Sequence, residues 1–375
     1  MIYFDNAATT YPKPTIFYDM IDDANRNHAF NVGRGGYKYS VEEFSVMQNV
    51  REKLLSLTGR VSGDVVFSSS ATESLNQIIW GIDFNPGDYV YVSPFEHNAI
   101  LRPLNLLSKK IGFEICLLPF DKETWNFNIR KCSDDMVLKH PRAVFVSQVS
   151  NVTGFHLPYS SIFELSQKYN AVNVLDASQG FGIFPIDKSG SIDYIVFAGH
   201  KSLYAGFGIA GFIRIGQDRL TVVKAGGTGS DSLNLEMPDY GYSRYEAGSP
   251  NIVSIYGLNS SIDWLKSVSI LEQERNLTDY LIKRLSEVES VIIFKPDSVE
   301  ITGIVSFAVR GSDSNDVGQL LADEYDICVR TGYHCAPLIH DFIESREFNG
   351  TIRVSFGFFN SIQEVDRLIE VLETL

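Results

Sequence analysis

Residues 192–201 read Ile-Asp-Tyr-Ile-Val-Phe-Ala-Gly-His-Lys, a stretch that joins an apolar run to a lysine. The apolar, β-branched residues of this stretch predict a buried strand. Gly199-His200-Lys201 follow the strand at once, so a lysine stands at its carboxyl end. Open parallel sheets bind their ligands at the carboxyl ends of the strands. Lys201 is therefore the first candidate for a functional residue.

Short apolar runs alternate with amphipathic segments on the amino-terminal side of this stretch. Further strands are predicted at 65–67, 89–92, 143–147 and 172–175, and helices at 71–80, 100–110 and 160–169. Such alternation predicts an α/β protein, with a mostly parallel sheet that helices cover on both faces.

The pattern changes beyond residue 255. Helices are predicted at 255–267 and 271–288, followed by a run of strands and a closing helix at 362–375. A chain of 375 residues exceeds one ordinary single-core domain. We expect a large domain of residues 16–254 and a smaller α/β domain made of residues 1–15 and 255–375.

The composition excludes several classes of partner and site. A net charge of −14 argues against nucleic acid or an anionic membrane as the main partner. The sequence lacks an apolar stretch of ~20 residues that could span a membrane, and its start lacks the features of a secretory signal. Its four cysteines are too sparse for a disulfide scaffold and lack the paired spacing of a zinc site. We therefore expect a cytoplasmic protein without a metal site.

Three polar residues follow three successive predicted strands. Asn151, Asp176 and Lys201 are spaced 25 residues apart. A shared sheet edge would bring an acid and a lysine together, which suits pyridine-ring chemistry. A carboxylate keeps a ring nitrogen protonated, and a lysine amine forms a Schiff base. Taken singly, Asp176 could be an ordinary helix cap and Lys201 a solvated surface residue.

Small hydroxyl residues follow the predicted strand at 65–67. The segment Ser68-Ser69-Ser70-Ala71-Thr72-Glu73 opens the predicted helix at 71–80. Free backbone N–H groups and the helix dipole attract an anion at such a point. A phosphate would be held there through Ala71, Thr72 and the hydroxyl groups, although a simple helix cap explains the same composition.

A glycine motif close to Lys201 points to a different cofactor. Gly206-Phe207-Gly208-Ile209-Ala210-Gly211 fits the GxGxxG pattern of dinucleotide-binding proteins. That pattern requires a helix directly after it, whereas residues 212–216 read as a strand. We therefore do not expect a nicotinamide cofactor.

Eight segments, in order along the chain, carry a family resemblance. They are Tyr3–Thr10 (YFDNAATT), Glu96–Asn98 (EHN), Ser150–Gly154 (SNVTG), Asp176–Gln179 (DASQ), Gly199–Lys201 (GHK), Tyr245–Asn251 (YEAGSPN), Val329–Ala336 (VRTGYHCA) and Arg353–Phe356 (RVSF). Together they resemble the class V aminotransferases of fold type I, which use pyridoxal 5'-phosphate (PLP), and specifically the cysteine desulfurases. The resemblance implies a large, mostly parallel seven-stranded sheet, a smaller C-terminal α/β domain, PLP as the cofactor and a homodimer.

The resemblance also implies a role for each matching residue. Lys201 would carry PLP and act as the catalytic base, and His97 would stack on the cofactor ring. The other cofactor-binding residues would be Ala71, Thr72, Asn151, Asp176, Gln179, His200 and Thr228, the last on a segment that a partner subunit contributes. The substrate carboxylate would be bound by Arg353, with Asn151 and Arg330.

Cys335 distinguishes between the possible functions. In cysteine desulfurases the loop cysteine attacks the substrate sulfur and keeps it as a persulfide, while alanine is released. We accordingly expect L-cysteine as the substrate and Cys335 as a catalytic residue. Cations favour a reactive thiolate, and Arg330, His334 and His340 are close to Cys335 in sequence. The compact loop is similar to that of short-loop desulfurases, which often need a sulfur-acceptor protein.

Other functions stay open at this point. Selenocysteine lyase chemistry needs the same residues and takes L-selenocysteine instead. In a related aminotransferase or C–S lyase, Cys335 would not be the sulfur acceptor. A non-catalytic scaffold could bind a sulfur-transfer partner, but it would have no physical reason to keep Lys201, Asp176 and Arg353 together.

Overall fold

The structure is a computed structural model that describes residues 1–33, 36–188, 191–229 and 233–375. The strands are β1 (Ile2–Tyr3), β2 (Asp64–Ser68), β3 (Tyr89–Val92), β4 (Glu114–Leu117), β5 (Pro141–Ser147), β6 (Val172–Asp176), β7 (Tyr194–Ala198), β8 (Ala210–Arg214), β9 (Val291–Ile293), β10 (Ile304–Val309), β11 (Ile327–Cys328), β12 (Arg330–Gly332) and β13 (Thr351–Ser355). The helices are α1 (Thr15–Asn27), α2 (Lys38–Leu57), α3 (Ala71–Gly81), α4 (Asn98–Ile111), α5 (Ile129–Leu138), α6 (Tyr159–Gln167), α7 (Ile252–Leu265), α8 (Ile270–Leu285), α9 (Ser314–Tyr325), α10 (Ile339–Phe342) and α11 (Ile362–Leu372), with 3-10 turns at Tyr242–Arg244 and Ser345–Phe348.

The largest sheet has seven strands in the order β2-β8-β7-β6-β5-β3-β4. Strand β8 is antiparallel to its neighbours β2 and β7, and the other pairings are parallel. Both faces of the sheet are buried: along β5, Val144 and Val146 enter one hydrophobic core, and Ala143 and Phe145 enter another. The predicted α/β class, with a mostly parallel sheet covered on both faces, is confirmed.

A second, antiparallel sheet has the order β12-β13-β10-β9, and β1 pairs in parallel with β11. Phe4 shares a third core with residues of α8, β10 and β13. The first residues of the chain therefore pack with its last third. Helix α7 instead packs into a core of the seven-stranded sheet, and the division at residues 15/16 and 254/255 stays a prediction.

The predicted elements agree with the observed ones to within about three residues at their ends. The edge strand β4 was not predicted, and it is short and only half-buried. In the described residues, none of the helices combines the length and the apolar character needed to cross a membrane.

The glycine motif at 206–211 serves the packing of the sheet. It runs into strand β8, as expected, and is not followed by a helix. A Cβ on Gly211 would overlap the carbonyl oxygen of Val66 in the neighbouring strand and come within 2.6 Å of the Phe197 ring. Residue 211 must therefore be glycine for steric reasons within the sheet.

Replacing Gly211 by alanine should lower the free energy of unfolding by about 2–3 kcal/mol, the cost of forcing a methyl group into a packed core. Gly36→Ala is the matched control, because a Cβ at residue 36 meets no atom within 4 Å. Denaturant unfolding of both variants measures the difference. Equal stability of the two variants would show that β8 can shift to admit a side chain.

Candidate active site

The carboxyl ends of β5, β6 and β7 and the start of α3 surround a cavity of about 180 Å³. Among the residues that line it are Ala71, Thr72, His97, Asn151, Asp176, Gln179, His200 and Lys201. Eight of the residues selected from the sequence therefore share one cavity, although they come from five separate segments of the chain.

Lys201 lines this cavity, and the pKa of its amine is lowered. Burial lowers the pKa of Lys201 to about 8, because desolvation disfavours the ammonium form. The negative charge of Asp176 opposes this shift, and the guanidinium groups of Arg353 and Arg330 add to it. Within the described part of the chain, no hydrogen bond or ion pair holds the Lys201 Nζ. The amine is therefore free to react with a ligand slightly above neutral pH.

Asp176 ends β6 and is only 7% exposed. Its Oδ1 accepts a hydrogen bond from the backbone N–H of Ser178 at 3.0 Å and a second from the Ser178 hydroxyl. Among the residues that the structure describes, none donates to Oδ2. One oxygen of the carboxylate is thus fixed by the turn, and the other remains for a ligand in the cavity.

His97 caps helix α4 through its Nδ1, which accepts a hydrogen bond from the Ala99 N–H at 3.0 Å. Burial, assisted by the positive charge of Lys201, lowers the pKa of His97 to about 3. The ring is therefore neutral at physiological pH and carries its proton on Nε2. A neutral, flat ring held at this point is suited to cover an aromatic ligand.

Glu96, the residue before His97, is fixed by a buried hydrogen-bond network. Its carboxylate is fully buried and accepts hydrogen bonds from Ser93 Oγ, Ser147 N and Ser147 Oγ. Burial raises the pKa of Glu96 to about 7. This network ties the segment before α4 to the end of β5, which keeps the imidazole in place.

The start of helix α3 forms an anion-binding end of the cavity. Ser70 caps the helix by accepting a hydrogen bond from Glu73 N. The N–H groups of Ala71 and Thr72 lie in the first helical turn and cannot reach a carbonyl of their own helix. The His200 ring stacks on Phe207 with 4.6 Å between centroids, and its buried Nδ1 has no partner in the described structure.

The loop that carries Lys201 is fixed through the His200 carbonyl, and one of the donors, Lys13, was not predicted from the sequence. The His200 carbonyl accepts hydrogen bonds from Lys13 Nζ at 2.9 Å, from Thr9 Oγ1 at 3.0 Å, and from the backbone and hydroxyl of Thr10. Thr9 and Thr10 belong to the segment that carries the family resemblance. Lys13 lies beyond that segment, and no sequence pattern points to it.

The loop of Cys335 is hydrogen-bonded to two segments that line the cavity. Both His334 and Cys335 have positive φ angles, 45° and 57°. The Cys335 carbonyl accepts a hydrogen bond from Asn98 N at 2.7 Å, and the His334 carbonyl accepts one from Asn151 Nδ2 at 2.8 Å. These contacts impose the strained backbone and leave the Cys335 side chain exposed.

Arg330 is the cation that contacts this thiol in the described structure, with Nη2 3.5 Å from the Cys335 sulfur. The expectation that His334 and His340 would act as further cations is wrong. Both rings are buried, and desolvation lowers the pKa of each. They form hydrogen bonds with Thr351 and Ser345 instead.

Arg353 lies beside the cavity and does not line it. Its side chain is 0% exposed. Nη1 donates to the Asn151 carbonyl at 2.8 Å, and Nη2 donates to Asp5 Oδ1 at 2.5 Å. Burial lowers the pKa of Arg353 to about 10, so the guanidinium is still charged at neutral pH. The predicted carboxylate-binding residue is therefore covered by another carboxylate.

Thr228 is not brought to the cavity that holds Lys201. It lines a separate cavity of about 380 Å³, together with Ser68, Ser69 and Glu73 from the segment before and within α3. Within one chain, Thr228 thus lies near the turn that starts α3, in a cavity separate from that of Lys201. Its expected contact with a phosphate stays a prediction that requires a second copy of the chain.

Comparisons with known proteins show which family the chain is similar to. Residues 2–368 match the family model described as aminotransferase class-V. A probable cysteine desulfurase of Pyrococcus abyssi is 31% identical over 100% of this chain and 94% of its own length. The apo structure of a cysteine desulfurase from Thermococcus onnurineus NA1 superposes with a TM-score of 0.89 at 29% identity, covering 100% of this chain and 94% of that one. The Escherichia coli cysteine desulfurase CsdA superposes with a TM-score of 0.84 at 25% identity, covering 99% and 94%.

The protein belongs to the class V aminotransferase family. The match extends over nearly the whole chain, and the seven-stranded sheet and the full-length superposition confirm the predicted fold type I architecture.

The amine of Lys201 should titrate with a midpoint near pH 8. In cofactor-free protein, trapping of Lys201 by a small aldehyde and cyanoborohydride should rise through this pH, as measured by mass spectrometry of the modified peptide. Asp176→Asn should move the midpoint lower, because the Asp176 charge stabilises the ammonium form. Asp22→Asn, in an exposed ion pair with Arg26, is the control and should leave it unchanged. A midpoint near 10 in the wild type would contradict the predicted effect of burial.

Proposed function

We propose that this protein is a PLP-dependent cysteine desulfurase that converts L-cysteine to L-alanine and keeps the sulfur as a persulfide on Cys335. One observation carries the proposal. The amine of Lys201, without a protein partner in the described structure, lies in a cavity, and the loop of the exposed Cys335 thiol is hydrogen-bonded to two segments that line this cavity. A Schiff-base lysine and a sulfur-accepting cysteine are the two groups that this reaction requires of the protein.

The residues of the cavity fit PLP. A phosphate would bind at the free N–H groups of Ala71 and Thr72 and at His200, whose buried Nδ1 otherwise has no partner in the described structure. A pyridine ring would lie against His97, with its nitrogen facing Asp176. When bound, PLP supplies an electron sink for negative charge at the substrate α-carbon.

The residues around the ring would control protons. The Asp176 carboxylate would hold a proton at the ring nitrogen, because a carboxylate beside a pyridine favours its protonated form. Lys201 Nζ would take the α-proton of the substrate. With a pKa of about 8, roughly a tenth of the amine is unprotonated at pH 7, which supplies the free base that proton abstraction requires. The neutral ring of His97 would cover the reacting groups and exclude water.

Cys335 would receive the sulfur. Its sulfur attacks the substrate sulfur, an S–S bond forms, and the substrate C–S bond breaks with its electron pair returned to the substrate carbon. Arg330 offers the Cys335 sulfur a charged hydrogen-bond donor at 3.5 Å, which orients the nucleophile. An external thiol or an acceptor protein would then remove the sulfur. The exposure of Cys335 supports transfer to such a protein.

Incubation with L-cysteine and a reductant tests the proposal. Alanine and sulfide should form in equal amounts, and Cys335→Ala should lower the rate at least ~100-fold, the scale on which loss of a catalytic group acts. Cys116→Ser, on edge strand β4, is the matched thiol control and should keep full activity.

Other products would point to other functions. Pyruvate and ammonia would indicate a C–S lyase, and undiminished sulfide release by Cys335→Ala would reject the persulfide. Parallel reactions with L-selenocysteine measure the preference between sulfur and selenium. Protein that binds no PLP would reject the proposal as a whole.

We also propose that the protein is a cytoplasmic homodimer. The free cysteines are consistent with a reducing compartment. Leu233, Leu235 and Tyr240, in the segment after Thr228, are 98%, 100% and 76% exposed. Large apolar side chains that are so exposed support a contact surface between proteins. A partner copy bound there would bring its Thr228 towards the phosphate.

Thr228→Val should raise the Kd for PLP about tenfold or more, because it removes a hydrogen bond to a charged group. Fluorescence titration of the cofactor-free protein measures the Kd, and sedimentation gives the oligomeric state. Thr124→Val, in an exposed turn that bonds to Asp121, is the control. A monomer, or a dimer with unchanged PLP affinity, would contradict the role of the partner subunit.

A further inference from the structure

The contact between Asp5 and Arg353 has no part in the chemistry described so far. Strands β12 and β13 place Arg330 and Arg353 directly opposite each other. Two like charges at such a position repel each other, and Arg330 indeed disfavours the charged form of Arg353. A fully buried guanidinium without an opposite charge would be strongly unfavourable. The protein therefore needs an anion at this point.

Asp5 supplies that anion. Its Oδ1 accepts a hydrogen bond from Arg353 Nη2, and its backbone is fixed beside β13 by a parallel bridge to Ser355. Its carbonyl accepts hydrogen bonds from Tyr3 Oη and from the N–H groups of Ala8 and Thr9. The position of Asp5 beside the arginine is thus set by the backbone.

Arg353 offers no surface to an incoming carboxylate in this arrangement. It is 0% exposed, whereas the Asp5 side chain is 24% exposed. Nη1 is bonded to the Asn151 carbonyl and Nη2 to Asp5. A substrate carboxylate needs the same terminal nitrogens, since guanidinium groups bind carboxylates through two parallel N–H donors. The exposed side of Asp5 leaves it room to turn towards solvent.

We infer that Asp5 is the resting counter-ion of Arg353, and that a substrate carboxylate binds by exchange with it. This inference rests on the proposed function and on the role that the family resemblance implies for Arg353, which is to hold the α-carboxylate of the substrate. One carboxylate enters as another leaves, so the charge of the buried site is conserved. Asp5 then acts as a specificity-determining residue: a ligand without a carboxylate cannot replace it, and Arg353 stays closed.

Asp5 competes with the substrate carboxylate for Arg353. The apparent Kd for the substrate therefore equals the intrinsic Kd divided by the fraction of molecules in which Arg353 is free of Asp5. With about one molecule in ten free, removing the competitor tightens binding about tenfold. Asp5→Asn, with Asp5→Ala as a second variant, should therefore lower the KM for L-cysteine about tenfold, with little change in kcat. If Asp5 merely oriented Arg353, both variants would instead bind the substrate carboxylate more weakly than the wild type.

Calorimetry on the PLP-loaded enzyme provides a test without turnover. The probe is 3-mercaptopropionate, which is cysteine without its α-amino group, and 2-mercaptoethanol is the matching thiol without a carboxylate. The Kd for 3-mercaptopropionate should fall about tenfold in both variants, and the Kd for 2-mercaptoethanol should not change. In the double variant Asp5→Asn/Arg353→Gln the tightening should disappear, because the exchange takes place at Arg353.

Asp326→Asn is the matched control, since Asp326 forms an exposed ion pair with the amino group of Met1. It should leave both Kd values unchanged, and thermal unfolding confirms that each variant is folded. Unchanged or weaker binding of 3-mercaptopropionate in the folded variants would overturn the inference, as would equal tightening for both thiols. Absence of L-cysteine turnover by the wild type would reject the proposed function, whereas turnover without tightening would reject the exchange alone.

Discussion

The site depends on one constraint, that neighbouring parallel strands end at the same edge of a sheet. Strands β5, β6 and β7 are adjacent and in register, with Ser147 opposite Asp176 and Asp176 opposite Val196. Residues from three distant segments therefore meet at one edge without a contact between their side chains being needed. The turn that starts α3 completes the cavity around that edge, and the loop of Cys335 is hydrogen-bonded to two segments of its lining.

Burial has different consequences for the charged groups around this edge. Desolvation lowers the pKa of Lys201 to about 8 and that of His97 to about 3, which produces a reactive amine and a neutral ring. Arg353 stays charged when buried and therefore needs a counter-ion, which Asp5 supplies. Desolvation thus favours the reactive, neutral amine of Lys201. It also makes Arg353 require a bound carboxylate, so that a ligand without a carboxylate cannot replace Asp5.

Much of this arrangement was predictable from local patterns. The β-branched runs predict strands β5 to β7, and equal spacing predicts that Asn151, Asp176 and Lys201 share an edge. Contacts that depend on the path of the chain through space were not predictable. His334 and His340 are near Cys335 in sequence, yet both turn into the core. Lys13 lies far from His200 in sequence, yet it donates to the His200 carbonyl.

The amino-acid sequence by itself determined the α/β class, the strand ends whose candidate site residues share one cavity, and the family. These depend on periodicity and on short motifs, which are properties of neighbouring residues. Only the tertiary structure decided that Arg353 is covered by Asp5, that Thr228 lies outside the cavity of its own chain and that Arg330 alone of the three expected cations contacts Cys335 in the described structure. Burial and charge pairing arise between residues far apart in the chain, so local patterns do not contain them.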